Sequence, residues 1–298
     1  MTTSHSFPST RKRRASTIAF RVGTYLALLL VLGPALWLVI GIVGRALPHF
    51  SFGVLNQALT PEGGGIENAI FGTLILMIGV FVIAGGVGVL AGLHLAEFSK
   101  PRKSGKASGG LLRTASDVLS GFPSIVLGYV GYVALVLGLH WGFSLLSAWI
   151  ILSIMVVPYI AKATETSLRQ VPTNYREGAV ALGMPEGYAL RKVVLKTATP
   201  GIVTGLLLAM AIAIGETAPL AYTAGPLPTS TASFTLTHHA VPYLTYLVFN
   251  YFDLSSPVTA KYIAYDAALL LLVLVLVLLV AARLIVNRTQ RFSEGRHN

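Results

Sequence analysis

The sequence predicts an all-α membrane protein with six transmembrane helices and both termini in the cytoplasm. Three observations support this fold class: an apolar composition, a series of long uncharged segments, and a one-sided distribution of Lys and Arg. Of the 298 residues, 54% are hydrophobic and 11% are charged, whereas soluble domains contain about 25% charged residues. We therefore expect most of the chain to lie in a membrane.

The six helices follow from apolar segments without charged side chains, since a membrane-spanning helix needs about 20 such residues. These segments are Val22–Gly44, Asn68–Ala96, Val118–Ala161, Thr197–Gly215 and, interrupted only by Asp266, Ile263–Ala282. The third segment is long enough for two helices, and His140-Trp141-Gly142 near its middle suits a membrane–water interface. The first segment is too long for the apolar region of a signal peptide, so we expect it to be a span.

Lys and Arg are concentrated in alternate connections between these segments. The N-terminal tail carries 5, the loop after the second span 5, the loop after the fourth span 6 and the C-terminal end 4, against Arg45 and Lys261 on the other side. Because positively charged loops remain in the cytoplasm, we expect basic cytoplasmic tails at 1–21 and 288–298. Residues 22–287 then form one six-span domain with a cytoplasmic loop at about 162–200. This distribution favours contact with anionic membrane lipid and argues against nucleic-acid binding.

The two longer loops on the opposite side, about residues 45–67 and 223–262, show no strand or repeat pattern. We expect the second of them to lie along the membrane surface. Its His238-His239 pair lacks a third ligand at helical spacing, so we expect no metal site. The chain contains no cysteine, no phosphate-binding loop of the GxxxxGK[ST] type and no catalytic constellation. We therefore expect no cofactor and no enzymatic activity in this chain.

The cytoplasmic loop at 162–200 has the features of a compact docking surface. Asn174 suits the N-cap of a short helix over Tyr175–Leu182, and Gly183 suits a C-terminal turn with positive φ. Pro185-Glu186 suits the first turn of a second helix. The small residues Gly178 and Ala179 leave one face flat enough for close approach by a partner, although a helix on the membrane surface has the same local features.

The spacing within this loop resembles the EAA motif of ABC importer permeases, which docks into a cleft of an ATPase subunit. The motif consists of Glu-Ala-Ala, a glycine four residues later, and an apolar segment after nine more residues. Gly178 replaces the first alanine and Lys196 replaces a final proline. The resemblance implies that a partner ATPase dimer hydrolyses ATP and contacts Glu177, Gly178, Ala179, Gly183, Val193 and Leu195.

Further segments are similar to the A-type permease subunit of the phosphate-specific (Pst) importer. They are Gly64–Leu74, Leu95–Phe98, Gly121–Gly128 and, as the most specific, Gly215-Glu216-Thr217-Ala218-Pro219-Leu220. This resemblance covers roughly residues 63–286. It implies the architecture of a type I ABC importer permease in the cell membrane of a prokaryote. It also implies a sister permease subunit as heterodimer partner, an extracytoplasmic phosphate-binding protein, and inorganic phosphate as substrate.

The candidates for the substrate path are Glu216, Thr217, Pro123 and Ser124. Intramembrane acids usually face a bundle interior or a polar cavity, so we expect Glu216 to face a cavity, although an acid at this depth can also reach the outer interface. An ionised carboxylate accepts hydrogen bonds from protonated phosphate, whereas sulfate has no proton to donate. Glu216 can equally pair with an arginine of the sister subunit. Pro123 breaks the third span and frees backbone groups, one of which Ser124 can satisfy. An exposed half-helix N-terminus there can bind an anion, although a kinked packing interface has the same features.

Two alternatives to phosphate transport remain open on the sequence. The resembling family commonly has an arginine four residues before the glutamate, where this chain has Ile212. That difference favours a permease for another oxyanion such as sulfate or molybdate, whereas the segment around Glu216 favours phosphate. A membrane scaffold or sensor that binds a regulator through the same cytoplasmic loop is the second alternative.

Overall fold

The computed structural model describes residues 10–60, 63–99, 110–227, 229–251 and 258–294. The chain divides into two compact units, residues 1–50 and residues 51–298. The first unit consists of helix α1 (Thr10–Ala46). Its segment Thr17–Ala46 is long and apolar enough to cross a membrane.

The second unit is almost entirely helical in the part that the structure describes. Its helices are α2 (Glu67–Glu97), α3 (Gly110–Gly121), α4 (Ser124–Gly131), α5 (Leu145–Arg169), α6 (Thr173–Ala181), α7 (Glu186–Ala189), α8 (Leu195–Ile214), α9 (Ala218–Thr223), α10 (Leu244–Tyr251) and α11 (Val258–Glu294). Two π-helical segments extend them: Tyr132–Gly138 continues α4, and Leu190–Val194 joins α7 to α8. A 3₁₀-helix at Phe52–Asn56 precedes a two-stranded antiparallel ladder of β1 (Leu59–Thr60) and β2 (Gly63–Gly64).

The prediction of six spans is confirmed if the third span is a bent one. Within the described residues, five helices are long and apolar enough to cross a membrane, and α3 with α4 and its π-helical extension makes a sixth. The two halves of this third span meet at an angle of 101°, at the position where Pro123 was predicted to break it. The predicted boundary at His140-Trp141-Gly142 is also correct, since the third span ends at Gly138 and α5 begins at Leu145.

The cytoplasmic loop differs from the prediction in how its helices begin and end. The first short helix, α6, starts at Thr173, directly after Pro172, and no side chain caps its N-terminus. The predicted N-cap role of Asn174 is therefore wrong, because Asn174 lies inside the first turn. Gly183 has the predicted positive φ, at 76°. The second helix begins at Glu186 as predicted, but it continues without interruption to Ile214 as part of the fifth span.

The segment Val241–Leu244, within the loop at 223–262, packs into the helical bundle, which was not predicted. Val241 and Leu244 are fully buried, and Tyr243 is 1% exposed. The main chain of this segment finds partners inside the bundle, since the Leu244 amide donates to the Thr73 hydroxyl at 3.0 Å. The ladder of β1 and β2 in the other loop, at 45–67, was also not predicted.

The core is built on the packing of α2 against α5, the most extensive helix pair in the unit. Glycines on α2 allow this close approach, as is typical of helix pairs in membranes. A Cβ atom at Gly79 would lie 1.9 Å from the Trp149 ring, and one at Gly92 would lie 2.4 Å from the Ala161 carbonyl oxygen. Neither position therefore accepts a larger side chain without separating the two helices.

Candidate functional site

Three of the six predicted ATPase-coupling residues lie on an exposed surface formed by α6 and the turn that follows it. Glu177, Gly178 and Gly183 are exposed, whereas Ala179 is buried on the opposite face of α6. A Cβ atom at Gly178 would meet nothing within 4 Å, so the alanine of the EAA motif would also fit there. Val193 and Leu195 are half-buried and lie in the helix that continues into the fifth span.

An apolar patch beside these residues was missed by the sequence analysis. Four large apolar side chains of the segment are 47–78% exposed: Tyr175, Val180, Leu182 and Tyr188. Several exposed large apolar side chains within one short segment suit a protein–protein contact surface. The signal in the sequence was the presence of apolar residues in a polar loop. We refer to α6 as the coupling helix because it carries Glu177 at the edge of this patch.

The coupling helix is tied to the end of α2 by an ion pair. The Arg176 guanidinium donates two hydrogen bonds to the Glu97 carboxylate, from Nη1 to Oε2 at 2.7 Å and from Nη2 to Oε1 at 2.5 Å. These hydrogen bonds raise the pKa of Arg176 above its ordinary value. The two residues are 79 positions apart, so helical spacing gave no indication of the contact.

A second ionic cluster fixes α3 on the end of α5. The Glu165 carboxylate accepts from Arg113 on α3 at 2.7 Å and pairs with Arg169 one turn further along α5 at 2.9 Å. Glu165 is largely buried, whereas the two arginines are about half-exposed. Arg169 also donates to the Leu95 carbonyl oxygen at 3.4 Å, near the end of α2.

The four predicted substrate-path residues come together where α4 meets α9. Pro123 immediately precedes α4 and Thr217 immediately precedes α9. The Ser124 side chain lies near the Glu216 carboxylate. The two helices approach closely, since a Cβ atom at Gly128 would lie 2.6 Å from the Cα of Pro219.

The main chain at Glu216 is held in place by a hydrogen bond from α10. The Thr245 hydroxyl, at the start of α10, donates to the Glu216 carbonyl oxygen at 2.8 Å. Glu216 and Thr217 are half-buried, and Ile212 is 39% exposed. The main chain at Glu216 is therefore positioned by the segment before the sixth span.

A small cavity lies nearby but does not coincide with these four residues. Its lining is mostly apolar and consists of Thr73, Leu76, Met77, Leu152, Ala213, Ile214, Leu220, Tyr243 and Thr245. None of the predicted substrate-path residues belongs to this lining. The cavity therefore gives no support to an anion site of its own.

Comparisons with known proteins agree with this architecture. Residues 87–291 match the family of binding-protein-dependent transport system inner membrane components. The phosphate transport system permease protein PstA 2 of Mycobacterium tuberculosis is 54% identical over 258 residues, which cover 87% of this chain and 83% of that protein. The phosphate transport system permease protein PstA of Xylella fastidiosa is 32% identical over 251 residues, covering 84% and 85% of the two chains.

A solved structure shows the same fold in another transporter. A chain of the MetNI methionine ABC transporter, in an inward-facing conformation, superimposes with a TM-score of 0.54 and 22% identity, covering 75% of this chain and 96% of that one. This likeness supports the predicted ABC importer permease architecture.

The family and the apolar helices together define the kind of protein. The chain is a multi-pass membrane protein, and a permease of this kind is not itself an enzyme but works with a separate ATPase and a substrate-binding protein. The resemblance of the Glu177–Leu195 and Gly215–Leu220 segments predicted this family correctly. The chain belongs to the binding-protein-dependent transport system inner membrane components and, among them, to the PstA permeases.

Proposed function

We propose that this chain is a permease subunit through which an ATP-driven importer moves inorganic phosphate across the cell membrane of a prokaryote. It would pair with a sister permease, dock on an ATPase dimer and receive phosphate from an extracytoplasmic binding protein. The observation that carries the proposal is the 54% identity to a phosphate transport system permease over 87% of the chain.

The docking step rests on the exposed surface of the coupling helix. Val180, Leu182 and Tyr188 offer apolar area to the ATPase, and Glu177 offers a negative charge for a basic residue or a helix N-terminus. The helix Glu186–Ile214 begins in this loop and ends two residues before Glu216. Its length of about 43 Å, at about 1.5 Å per residue, connects the docking surface to the candidate path within one element. A displacement at the loop would thus change the bundle, as alternating access requires.

The choice of phosphate over sulfate is assigned to Glu216 with Ser124. An ionised carboxylate accepts hydrogen bonds but cannot donate them, and the serine hydroxyl can do both. Phosphate near neutral pH retains a proton that it can donate to the carboxylate, whereas sulfate has none. The proximity of these two side chains supports the proposal, since together they offer both kinds of group to an anion that is donor and acceptor at once.

The test is uptake of labelled phosphate by cells that lack high-affinity phosphate import and express this chain with its genomic neighbours. We expect ATP-dependent uptake that excess sulfate does not reduce. Glu177→Lys should abolish uptake while the protein remains in the membrane. Asp117→Lys, the same charge change at an exposed acid of α3, should leave it unchanged.

Two results would redirect the proposal. Competition by sulfate, or no phosphate uptake by a complex that assembles normally, would indicate another oxyanion, with Ile212 as the first residue to examine. Glu216→Gln tests the selectivity step separately. A loss of discrimination against sulfate supports contact with the anion, whereas unchanged selectivity with impaired assembly indicates that Glu216 pairs with the sister subunit.

A further inference from the structure

We infer that the Glu97–Arg176 ion pair is the contact through which the coupling helix moves α2, so that both residues are positioning residues for transport. The inference rests on the proposed function in one respect only, namely that an ATPase displaces the coupling helix. It does not depend on which anion is carried.

Beside this ion pair, the coupling helix contacts the bundle through the segment that leads into the fifth span. It is nine residues long, and Ala179 is its only buried residue. It also contacts α7 and the π-helical segment Leu190–Val194, which belong to the same continuous helix as the fifth span. Arg176 therefore gives the coupling helix a specific side-chain contact to a different membrane-spanning helix, α2.

The geometry of the Glu97–Arg176 ion pair suits the transmission of movement from the coupling helix to α2. Two parallel hydrogen bonds join the guanidinium to both carboxylate oxygens, at 2.7 and 2.5 Å, and such a bidentate pair fixes orientation as well as distance. The side chains of Arg176 and Glu97 are 30% and 12% exposed, so the acid is mostly withdrawn from water. Removal of the arginine would leave a poorly hydrated charge at the end of α2, and this penalty opposes separation of the pair.

Helix α2 can carry a displacement to the opposite end of the molecule. It runs without interruption from Glu67 to Glu97, a length of about 45 Å at about 1.5 Å per residue. Its glycine face is packed tightly on α5, with a Cβ atom at Gly88 predicted to lie 2.7 Å from Ile160. Tightly packed helices move as units because their interface does not deform continuously.

The far end of α2 is held by a second polar contact. The Asn68 side chain accepts from the Leu59 amide at 2.7 Å and donates to the carbonyl oxygens of Leu59 at 3.4 Å and Ser230 at 3.2 Å. Both partners belong to the loops that, in the proposed orientation, face the binding protein. One helix thus connects the docking surface for the ATPase with the loops that receive the substrate.

The test compares transport with ATP hydrolysis in proteoliposomes that contain the assembled complex and its binding protein. Glu97→Gln and Arg176→Gln should leave ATP hydrolysis within about two-fold of wild type and reduce phosphate transported per ATP at least ten-fold. The exchange Glu97→Arg with Arg176→Glu should recover most of this ratio. Glu165→Gln is the matched control, since it removes the ionic cluster of α3 and α5 without touching the coupling helix.

A second readout does not depend on the substrate. The chain has no cysteine, so Leu90→Cys, on the exposed face of α2, gives a single site for an environment-sensitive label. We expect ATP to change its signal in the otherwise wild-type chain and with Glu165→Gln, but not with Glu97→Gln. An ATP-dependent signal that persists in Glu97→Gln, an unchanged transport ratio, or an exchange variant no better than the single variants would overturn the inference. Absence of phosphate transport by the wild type, with the label response intact, would instead refute the proposed function.

Discussion

The packing of α2 on α5 makes a specific prediction for Gly92→Ala. The added Cβ atom would lie 2.4 Å from the Ala161 carbonyl oxygen and 2.5 Å from the Thr164 Cβ. Ordinary contact begins near 3.4 Å, so the two helices would have to separate locally by about 1 Å. Because Ala161 contributes a backbone atom, no side-chain rotation relieves the overlap. Overpacking of this kind costs about 1–3 kcal/mol.

The matched control is Gly86→Ala on the same helix. Gly86 is exposed, and a Cβ atom there meets nothing within 4 Å. Both substitutions gain the same helix propensity, about 1 kcal/mol of alanine over glycine, so their difference isolates the packing penalty. At about 2–4 °C per kcal/mol, Gly92→Ala should melt about 2–12 °C below Gly86→Ala.

The assay is the fraction of detergent-solubilised protein that remains monodisperse after heating, measured by size-exclusion chromatography over a temperature series. The wild type should lie between the two variants or close to Gly86→Ala. If Gly92→Ala melts within about 1 °C of Gly86→Ala, the close contact of α2 with α5 at this point is wrong, and the glycine face is not what sets their separation.

Three further predictions concern local contacts. Asn68→Ala should lower stability by about 1–3 kcal/mol, since it leaves the buried amide of Leu59 without its acceptor; thermal melting checks this, and an unchanged midpoint would contradict it. Glu165→Gln should loosen α3, because the ion pair with Arg113 is weakened; hydrogen exchange at residues 110–121 should rise while exchange in α2 stays constant. Gly225→Ala should lower the melting midpoint by the equivalent of about 1–2 kcal/mol, because φ is +100° there; a midpoint equal to wild type would show that the turn tolerates a side chain.

The membrane-spanning helices were predictable because the hydrocarbon core of a membrane requires long helices without charged side chains. Their ends were predictable because polar residues resume there. The break at Pro123 was equally visible, since the residue removes a backbone donor. The 101° angle between α3 and α4 could not be predicted, because it depends on contacts such as those of Glu165 with Arg113. Asn174 was misassigned for a local reason: the helix starts at Thr173, directly after Pro172, which is two positions earlier than a cap at Asn174 allows.

The other features that the sequence did not predict depend on contacts between residues far apart in the chain. Glu216 and Ser124 were each identified as candidates from their own segments, but only the fold places them together. Glu97 and Arg176 gave no signal, since the pairing of two charges across 79 positions is decided by how the helices pack. The segment before α10 was expected at the membrane surface because of its polar residues and prolines, yet its main-chain groups are satisfied inside the bundle.

The burial of this late segment has a consequence for how the protein is made. The first turns of α2 depend on chain that is synthesised much later, because Asn68 contacts Ser230 and Thr73 contacts Leu244, 162 and 171 positions further on. At a synthesis rate of about 5–20 residues per second, α2 spends on the order of ten seconds or more in the membrane before these partners emerge. During that time its polar groups face the insertion machinery or the early neighbours of the nascent chain. A chain that stops between α9 and α10 would hold five of its six spans in the membrane and still lack the contacts that complete α2.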